Sequence, residues 1–313
     1  MSKQIENTDP SKNLWGIDLG GTKIEGVILK SAQDPQVLFR TRVPTEADQG
    51  YEHICQQVKK LVDMMEQEIG YKPSKIGIGT PGVHDPKLGT MKNCNTVSMN
   101  GKPMKSDLQN ILGTKIEMAN DADCFALAET QLGVVKEQFP DARVVFGVIM
   151  GTGVGGGIVV DGKAIIGLQG IAGEWGHNFL DESGGPCYCG KSGCVEKVIA
   201  GPALEQYYFK ETGNKKSLKD IVALAESKRD PTAQRTMMRL VEFFGTALSV
   251  IINILDPDVI VIGGGVGNID LLYDRGRDAV KSKVFNHTLD TPIVKPILGD
   301  SAGVFGAAFL VNY

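Results

Sequence analysis

The densest group of reactive side chains lies in residues 170–196. His177 is followed there by Cys187, Cys189 and Cys194. One imidazole and three thiolates form a complete ligand set for a tetrahedral zinc ion, with no position left open for water. The pattern therefore predicts a structural rather than a catalytic zinc site.

Disulfides, or reduced cysteines without a metal, are the alternatives for this cluster. Half of the six cysteines fall within residues 187–194. The other three, Cys55, Cys94 and Cys124, stand alone in apolar surroundings, where a cysteine behaves as a small hydrophobic residue. The clustering favours zinc over both alternatives.

Glu174 and Glu196 flank the cysteine cluster. A carboxylate on a metal-stabilised loop can accept hydrogen bonds from the hydroxyls of a polyol. Ordinary surface glutamates are the alternative for either residue alone. We predict that zinc holds a sugar-binding loop in shape.

Length and composition restrict the remaining possibilities. The chain has 313 residues, which suggests about two domains. A net charge of −4 does not indicate the excess of basic residues that binds nucleic acid or an anionic membrane surface. Residues 1–13 are polar and predicted to be disordered, and no apolar run approaches the roughly 18 residues of a spanning helix. With thiols kept for metal, a reducing cytoplasm is expected.

Two glycine-containing turns between strands suggest phosphate binding. Apolar runs at 14–17 and 24–29 are joined by residues 18–23, DLGGTK. Backbone N–H groups at the glycines, with the side chains beside them, can approach an anion, and an aspartate can hold magnesium or its waters. The candidates in this turn are Asp18, Gly20, Gly21, Thr22 and Lys23. The spacing of a P-loop is absent.

A second glycine-containing turn between strands is predicted further along the chain. A strand at 144–150 runs into a glycine loop, a second strand leaves it, and a turn at Asp161-Gly162 leads to a third. Two such loops suggest a pair that grips one polyphosphate. The loop candidates are Gly151, Thr152, Gly153, Gly155 and Gly156. Three further glycines after a strand at 258–262 can lie against a base or ribose, namely Gly263, Gly264 and Gly265.

The remaining patterns supply scaffold. Apolar residues at helical spacing predict a helix over 51–69, and a strand at 75–79 leads into the loop that holds Gly82. Residues 93–108 are polar and turn-rich, and we interpret them as a second wall of the same cleft. A strand at 115–118 delivers Asn120 and Asp121 to a helix at 122–132. Helix capping is the alternative role for Asp121.

Later elements are predicted in the same way. Residues 233–255 form a long apolar helix, and a helix rich in small residues ends the chain.

The motifs DLGGTK, TPG, NDADC, GTGVGGG, EWGH, CYCGKSGC-x-E and IGGG follow one another over residues 14–313. In this order they resemble the ROK family, which contains bacterial sugar kinases and sugar-responsive repressors. The resemblance implies an α/β actin-like ATPase fold of RNase H-like topology, with two domains hinged around a cleft for ATP and sugar. We expect a small domain of residues 14–121 and 299–313, and a large domain of residues 122–298 with the zinc loop.

The resemblance also implies roles for individual residues. Asp121 is expected to be the catalytic base. Sugar contacts are implied for Gly82, Asn120, Asp121, Glu174, His177 and Glu196. Zinc ligation is implied for His177, Cys187, Cys189 and Cys194, and binding of ATP with Mg²⁺ for the glycine turns named above. The family usually has Asn where this chain has Asp123, and the added carboxylate is expected to raise the pKa of Asp121.

The expected reaction is transfer of the γ-phosphoryl group of ATP to the 6-hydroxyl of a hexose. The motifs most resemble the fructokinase and mannofructokinase branch, so fructose is expected first and glucose or mannose next. An N-acetylhexosamine is the alternative substrate. A homodimer is expected, since family members are commonly dimers.

Two other classes fit less well. A repressor of this family carries a helix-turn-helix module ahead of the core, and only thirteen residues precede Leu14. Structural or chaperone ATPases of actin-like fold have no use for the zinc loop.

Overall fold

The computed structural model describes residues 9–312. The chain folds into two compact units. Unit 1 comprises Met1–Gln138, Gly157–Ala172 and Ile297–Tyr313, and unit 2 comprises Phe139–Gly156 and Gly173–Pro296. The predicted domain bounds remain a prediction. Of the segment predicted to be disordered, residues 1–8 lie outside the described residues, and Pro10–Lys12 form a 3-10 turn.

The strands are β1 (Leu14–Leu19), β2 (Lys23–Leu29), β3 (Val37–Pro44), β4 (Lys75–Thr80), β5 (Val83–His84), β6 (Met91–Lys92), β7 (Lys115–Asn120), β8 (Val144–Met150), β9 (Val154–Val160), β10 (Lys163–Ala164), β11 (Val259–Gly263) and β12 (Ile293–Val294). The helices are α1 (Tyr51–Ile69), α2 (Met104–Leu112), α3 (Asp121–Gln131), α4 (Val134–Gln138), α5 (Glu196–Ile199), α6 (Gly201–Thr212), α7 (Leu218–Glu226), α8 (Pro231–Leu255), α9 (Gly264–Gly267), α10 (Arg275–Lys281) and α11 (Ala302–Phe309).

Unit 1 is built on a five-stranded sheet of order β3-β2-β1-β4-β7. The β1–β2 hairpin is antiparallel, whereas β1, β4 and β7 run parallel, so their carboxyl ends meet at one edge. Helix α1 packs on β2 and β3, and α11 packs on β1 and β4. Helix α11 can pack this close to β4 only because residue 77 is glycine. A Cβ on Gly77 would lie 1.8 Å from the carbonyl oxygen of Ala307. The small residues of α11 therefore serve packing against the sheet.

The predicted hairpin and the predicted helix over 51–69 are confirmed. Both could be predicted because each pattern depends on residues close together along the chain. The turn-rich reading of residues 93–108 is wrong from Met104 onward, where α2 begins. Met104, Leu108 and Leu112 are buried and recur every fourth residue, so they form an apolar stripe that stabilises a helix. The pattern was missed because polar residues surround it.

Unit 2 contains β8, β11 and β12, which run parallel to one another in the second five-stranded sheet, of order β10-β9-β8-β11-β12. Helices α6, α7 and α10 pack around α8. By length and composition α8 is the one helix of residues 9–312 that could cross a membrane. Half of its most apolar window is buried inside the protein, as in a core helix. The long apolar helix predicted over residues 233–255 is confirmed, and it begins at Pro231.

A buried carboxylate holds two segments of unit 1. Glu129 in α3 is fully buried. Its carboxylate accepts hydrogen bonds from the backbone N–H groups of Val134 at 3.0 Å, Ile297 at 3.3 Å and Leu298 at 3.0 Å. One side chain thus ties the start of α4 to the segment that leads into α11.

We expect Glu129→Ala to lower the free energy of unfolding by roughly 3–5 kcal/mol, because the buried carboxylate accepts three backbone hydrogen bonds and the loss of each costs about 1–3 kcal/mol. Urea denaturation followed by circular dichroism measures this change. The control is Glu137→Ala in the neighbouring helix α4, at an exposed position, which we expect to change stability by less than about 0.5 kcal/mol. Equal effects of the two substitutions would contradict a structural role for Glu129.

Candidate functional site

The first glycine turn lies between β1 and β2 in unit 1. The Gly20 N–H donates to the Lys23 carbonyl at 3.0 Å, and Thr45 closes the turn by donating from Oγ1 to the Gly20 carbonyl at 2.7 Å. Gly21 and Thr22 are exposed at the tip. Because the Gly20 N–H is used inside the hairpin, phosphate contacts from this turn are expected from Gly21 and Thr22.

Asp121 is the first residue of α3 and follows β7. Asn120 caps the helix, since its Oδ1 accepts a hydrogen bond from the Asp123 N–H at 2.6 Å. Oδ1 of Asp121 accepts from the Ala122 N–H at 2.9 Å. The cap is therefore Asn120, and the carboxylate of Asp121 projects from the first turn of the helix.

Asp18 and Asp121 are close enough to affect each other. Asp18 lies near the carboxyl end of β1 and Asp121 directly follows β7, and the carboxyl ends of these parallel strands meet at one sheet edge. Burial, with the negative charges of Asp121 and then Glu25, raises the pKa of Asp18 to about 6. Asp18 therefore takes up a proton more readily than an ordinary aspartate, and a nearby cation would favour its charged form.

The pKa of Asp121 is raised above its ordinary value. Desolvation by the protein atoms packed around it is the main cause, and the hydrogen bond from the Ala122 N–H opposes the rise. Asp121 nevertheless remains open to solvent at the helix start. The expected rise is present, but Asp123 is not among its causes. A carboxylate with a raised pKa is suited to accept a proton from an alcohol.

Gly82 lies in the loop between β4 and β5. A Cβ at this position would lie 2.4 Å from Sγ of Cys94, so the backbone needs glycine here. Cys94 is held in turn by Asn100, whose Oδ1 accepts from the Cys94 N–H at 2.9 Å and whose Nδ2 donates to the Cys94 carbonyl at 3.1 Å. The sequence analysis treated Cys94 only as an isolated apolar residue. Its contact with Gly82 was not visible in the sequence.

The second glycine loop, between β8 and β9, contacts Glu196 in unit 2. Oε2 of Glu196 accepts from the Val154 N–H at 3.1 Å, and a Cβ on Gly153 would lie 2.6 Å from the same oxygen. Gly155 accepts a hydrogen bond from Nε1 of the buried Trp175 at 3.2 Å. This loop, which also contains Gly151, Thr152 and Gly156, is therefore attached to both ends of the zinc-loop segment.

A third segment joins this loop. The Gly201 N–H, at the start of α6, donates to the Gly151 carbonyl at 2.9 Å. Gly264 has φ of 83° and lies against the Met150 backbone, which only glycine allows. A Cβ on Gly151 would lie 4.0 Å from the Gly265 nitrogen. The turn at Gly263–Gly265 and the start of α6 thus flank the phosphate-loop candidate. The start of α6 was missed because its sequence carries no phosphate-binding pattern.

The four predicted zinc ligands come together in unit 2. The donor atoms of His177, Cys187, Cys189 and Cys194 all lie within 4.8 Å of one another. Sγ of Cys187 is 3.6 Å from His177 Nδ1, and Sγ of Cys189 is 3.6 Å from Sγ of Cys194. Tetrahedral Zn–S bonds of about 2.3 Å place sulfur atoms about 3.8 Å apart.

The spacing of these donors therefore fits zinc, and it is too long for a disulfide. All three thiols are free. The loop is closed by two isolated β-bridges, Phe179 with Cys194 and Pro186 with Ser192. Gly193, with φ of 73°, makes the turn between them. We infer that zinc ligation requires this loop geometry.

Tyr188 lies between two of the cysteines, and its role was not foreseen. Its hydroxyl is 2.9 Å from His177 Nε2, and the two rings meet edge to face with centroids 5.1 Å apart. Burial, then the negative charges of Glu196 and Glu174, raise the pKa of Tyr188 to about 12. A tyrosine between two cysteines gives no sequence signal of this contact.

Comparisons with known proteins give one consistent result. The ROK family model matches residues 14–313. An N-acetyl-D-glucosamine kinase of Vibrio vulnificus is 34% identical over 306 residues, which cover 95% of this chain and 98% of the kinase. The crystal structure of a ROK hexokinase from Thermus thermophilus has a TM-score of 0.84 at 30% identity, covering 95% and 97% of the two chains. A ROK glucokinase from Streptomyces griseus, in complex with glucose and AMPPNP, has a TM-score of 0.74 at 26% identity, covering 96% and 99%.

Proposed function

Because this chain belongs to the ROK family and has the actin-like ATPase fold of its sugar kinases, we propose that it is an ATP-dependent kinase for the 6-hydroxyl of N-acetyl-D-glucosamine. This chain is similar to sugar kinases over nearly their full length, which supports transfer of a phosphoryl group to an alcohol. The acetamido sugar is the finer part of the proposal.

The similarity to the Vibrio N-acetyl-D-glucosamine kinase carries the choice of sugar. At 34% identity it extends over 95% of this chain and nearly all of that enzyme, so both sugar-loop and phosphate-loop segments are included. The sequence predicted fructose first and glucose or mannose next, with an N-acetylhexosamine as the alternative. The relatives do not support fructose and favour the alternative.

An unsubstituted aldohexose is the second candidate. The Thermus ROK hexokinase and the Streptomyces ROK glucokinase resemble this chain over nearly their full length. Their names refer to hexoses without an acetamido group. Glucose and mannose therefore remain the sugars against which N-acetylglucosamine has to be compared.

We assign Asp121 as the general base that accepts the proton of the sugar 6-hydroxyl. Phosphoryl transfer passes through a loose transition state, so the protein mainly orients the nucleophile and stabilises charge. The raised pKa of Asp121 brings its proton affinity closer to that of an alcohol in the transition state. Asn120 fixes the start of α3 and thereby the position of the carboxylate.

We assign phosphate binding to Gly21, Thr22 and Lys23 of the first turn and to the loop Gly151–Gly156 of the second. Asp18 has the oxygen donor that Mg²⁺ prefers. The cation supplies neutralisation of phosphate charge when bound, and it would favour the ionised form of Asp18. Gly263–Gly265 are assigned to the adenosine.

The zinc loop is assigned to sugar binding. Gly82, Asn120, Glu174, His177 and Glu196 are proposed to contact the sugar with Asp121. Zinc held by His177 and three cysteines would supply structural stability to the loop and no step of the reaction. A homodimer in the cytoplasm is proposed from the family resemblance, and sedimentation velocity of the purified chain tests the dimer.

A coupled ADP-release assay tests the substrate. We expect kcat/KM for N-acetylglucosamine to exceed that for glucose, mannose and fructose by at least tenfold, about 1.4 kcal/mol in transition-state binding. N-Acetylmannosamine tests whether the acetamido group or the configuration at C2 determines which sugar is preferred. ATP turnover without sugar is the background measurement. A tenfold preference for any unsubstituted hexose would contradict the proposed substrate. The broader proposal that the protein is a sugar kinase would then still stand.

A further inference from the structure

The glycine turn assigned to the adenosine follows Ile262 in β11. The N–H of Ile260 donates to the carbonyl of Pro292 at 2.9 Å, and β12 pairs with β11 at Ile260 and Val261. In a parallel ladder the donors recur at every second residue, so the carbonyl of Ile262 would next accept from the N–H of residue 296. That residue is proline, which has no backbone N–H. The carbonyl of Ile262 therefore needs a donor from outside the sheet.

Tyr273 supplies that donor. Its hydroxyl donates to the carbonyl oxygen of Gly267 at 2.7 Å and to that of Ile262 at 3.3 Å. These carbonyls lie at the two ends of the turn, since Ile262 precedes it and Gly267 is the last residue of α9. They can meet because residue 267 is glycine, where a Cβ would lie 2.9 Å from the Ile262 oxygen. One phenol thus joins both ends of the turn that contains Gly263–Gly265.

Tyr273 is itself held in place by two neighbours. Its backbone N–H donates to the Asp270 carbonyl at 3.0 Å. Nζ of Lys295 lies 5.0 Å from the centroid of the ring, within reach of a cation–π contact, and also pairs with the Asp270 carboxylate. Burial, and then the negative charge of Asp270, raise the pKa of Tyr273 above its ordinary value, so the hydroxyl keeps its proton at neutral pH. The phenol is therefore a donor in a defined position.

We propose that Tyr273 is a positioning residue for the nucleotide, which holds the glycine turn in the shape that receives the adenosine. The glycines have no side chains that could hold the turn by packing. A turn that must be ordered on binding has a lower affinity for its ligand than one that is already in place. The effect of the phenol should therefore fall on the nucleotide and not on the sugar. The inference rests on the proposed function, since it assumes that Gly263–Gly265 bind adenosine.

The test is Tyr273→Phe, which removes the hydroxyl and keeps the ring beside Lys295. Isothermal titration with ADP and Mg²⁺ measures nucleotide affinity, and the ADP-release assay with its preferred sugar gives kcat and the KM values for ATP and sugar. We expect ADP affinity to fall and KM for ATP to rise by about 3- to 10-fold, the scale of one lost uncharged hydrogen bond. KM for the sugar, and kcat at saturating ATP, should stay within about twofold of wild type. General destabilisation would not separate nucleotide from sugar in this way.

The matched control is Tyr208→Phe, in α6 of the same unit. The Tyr208 hydroxyl donates to Oδ2 of Asp230 at 2.5 Å, and Tyr208 is 2% exposed. This substitution therefore also removes a buried hydrogen bond of a tyrosine. We expect it to destabilise the fold at least as much as Tyr273→Phe does, because its acceptor is charged, yet to leave ADP affinity within about twofold of wild type. Urea denaturation of both variants compares their stability.

Three results would overturn the inference. Unchanged ADP affinity in Tyr273→Phe would show that the turn does not need the phenol. An equal loss of ADP affinity in Tyr208→Phe would assign the effect to destabilisation of the unit. An equal loss of sugar and nucleotide affinity in Tyr273→Phe would show that the effect is not confined to the turn. In all three cases a wild type that phosphorylates a sugar keeps the proposed function, whereas a wild type that binds no nucleotide would overturn that function and this inference with it.

Discussion

Asp121→Asn is expected to lower kcat by at least about 100-fold, the usual scale for loss of a general base. The amide keeps an oxygen that can accept from the Ala122 N–H, so α3 should start as before. Binding of ATP and sugar, measured by titration, should stay within a few fold of wild type. A loss in kcat with binding retained indicates a role in the transition state.

The pH dependence of the wild type provides a second measurement. Because desolvation raises the pKa of Asp121, the acid limb of kcat/KM should lie above the ordinary aspartate range, and activity should fall as pH drops through that limb. Asp123→Asn is the matched variant. It should leave the limb in place, since Asp123 is not a cause of the shift. If Asp121→Asn turns over within a few fold of wild type, Asp121 is not the general base, and its role is limited to the start of α3.

Cys189→Ser is expected to remove zinc and weaken sugar binding together. Cys189 is exposed, and its thiol is 3.6 Å from Sγ of Cys194. Zinc binding contributes folding free energy to the loop that it closes, so the loop should lose its shape without the metal. We expect zinc affinity to fall by more than about 100-fold, because Cys189 is itself a proposed ligand and loss of an outer partner of a ligand alone costs about 10- to 100-fold. Chelator competition measures zinc affinity, and titration measures sugar affinity.

Cys55→Ala is the control for loss of a thiol outside the loop. Cys55 lies on α1 in unit 1 and is buried, so zinc content and sugar affinity should follow the wild type. Circular dichroism of Cys189→Ser should show that most secondary structure is kept. A variant that lacks zinc but retains wild-type sugar turnover would contradict the proposal that the ion shapes the sugar site.

Local patterns in the sequence predicted the elements that position the candidate site. The two glycine hairpins, helix α1 and the strand leading to Asp121 all appear where periodicity placed them. Such patterns succeed because hydrophobic period and glycine turns report on the nearest few residues along the chain. The zinc set was predicted for a related reason. Donor types in a short segment restrict the chemistry before the geometry is known.

The choice of sugar could not be derived in this way. The motifs in the sequence identify a family with several substrates, and the expected preference for fructose is not supported by the relatives. Specificity of an enzyme depends on hydrogen-bond partners contributed by separate segments. Such segments meet only in the fold, as where Gly82 lies against Cys94, whose backbone N–H donates to Asn100. The spacing of residues along the chain does not determine which of them would contact a given group of a sugar.

Sequence alone therefore predicted the hairpins and the cluster of one histidine and three cysteines, because each depends on residue type and short spacing, whereas the family resemblance implied Asp121 as the base. Tertiary structure decided the remaining features. Desolvation, not Asp123, raises the pKa of Asp121, and the Tyr188 hydroxyl lies 2.9 Å from Nε2 of His177. Glu129 ties together segments 168 residues apart. Each of these depends on atoms brought together by packing, and the distance between two side chains across a fold is not encoded in their separation along the chain.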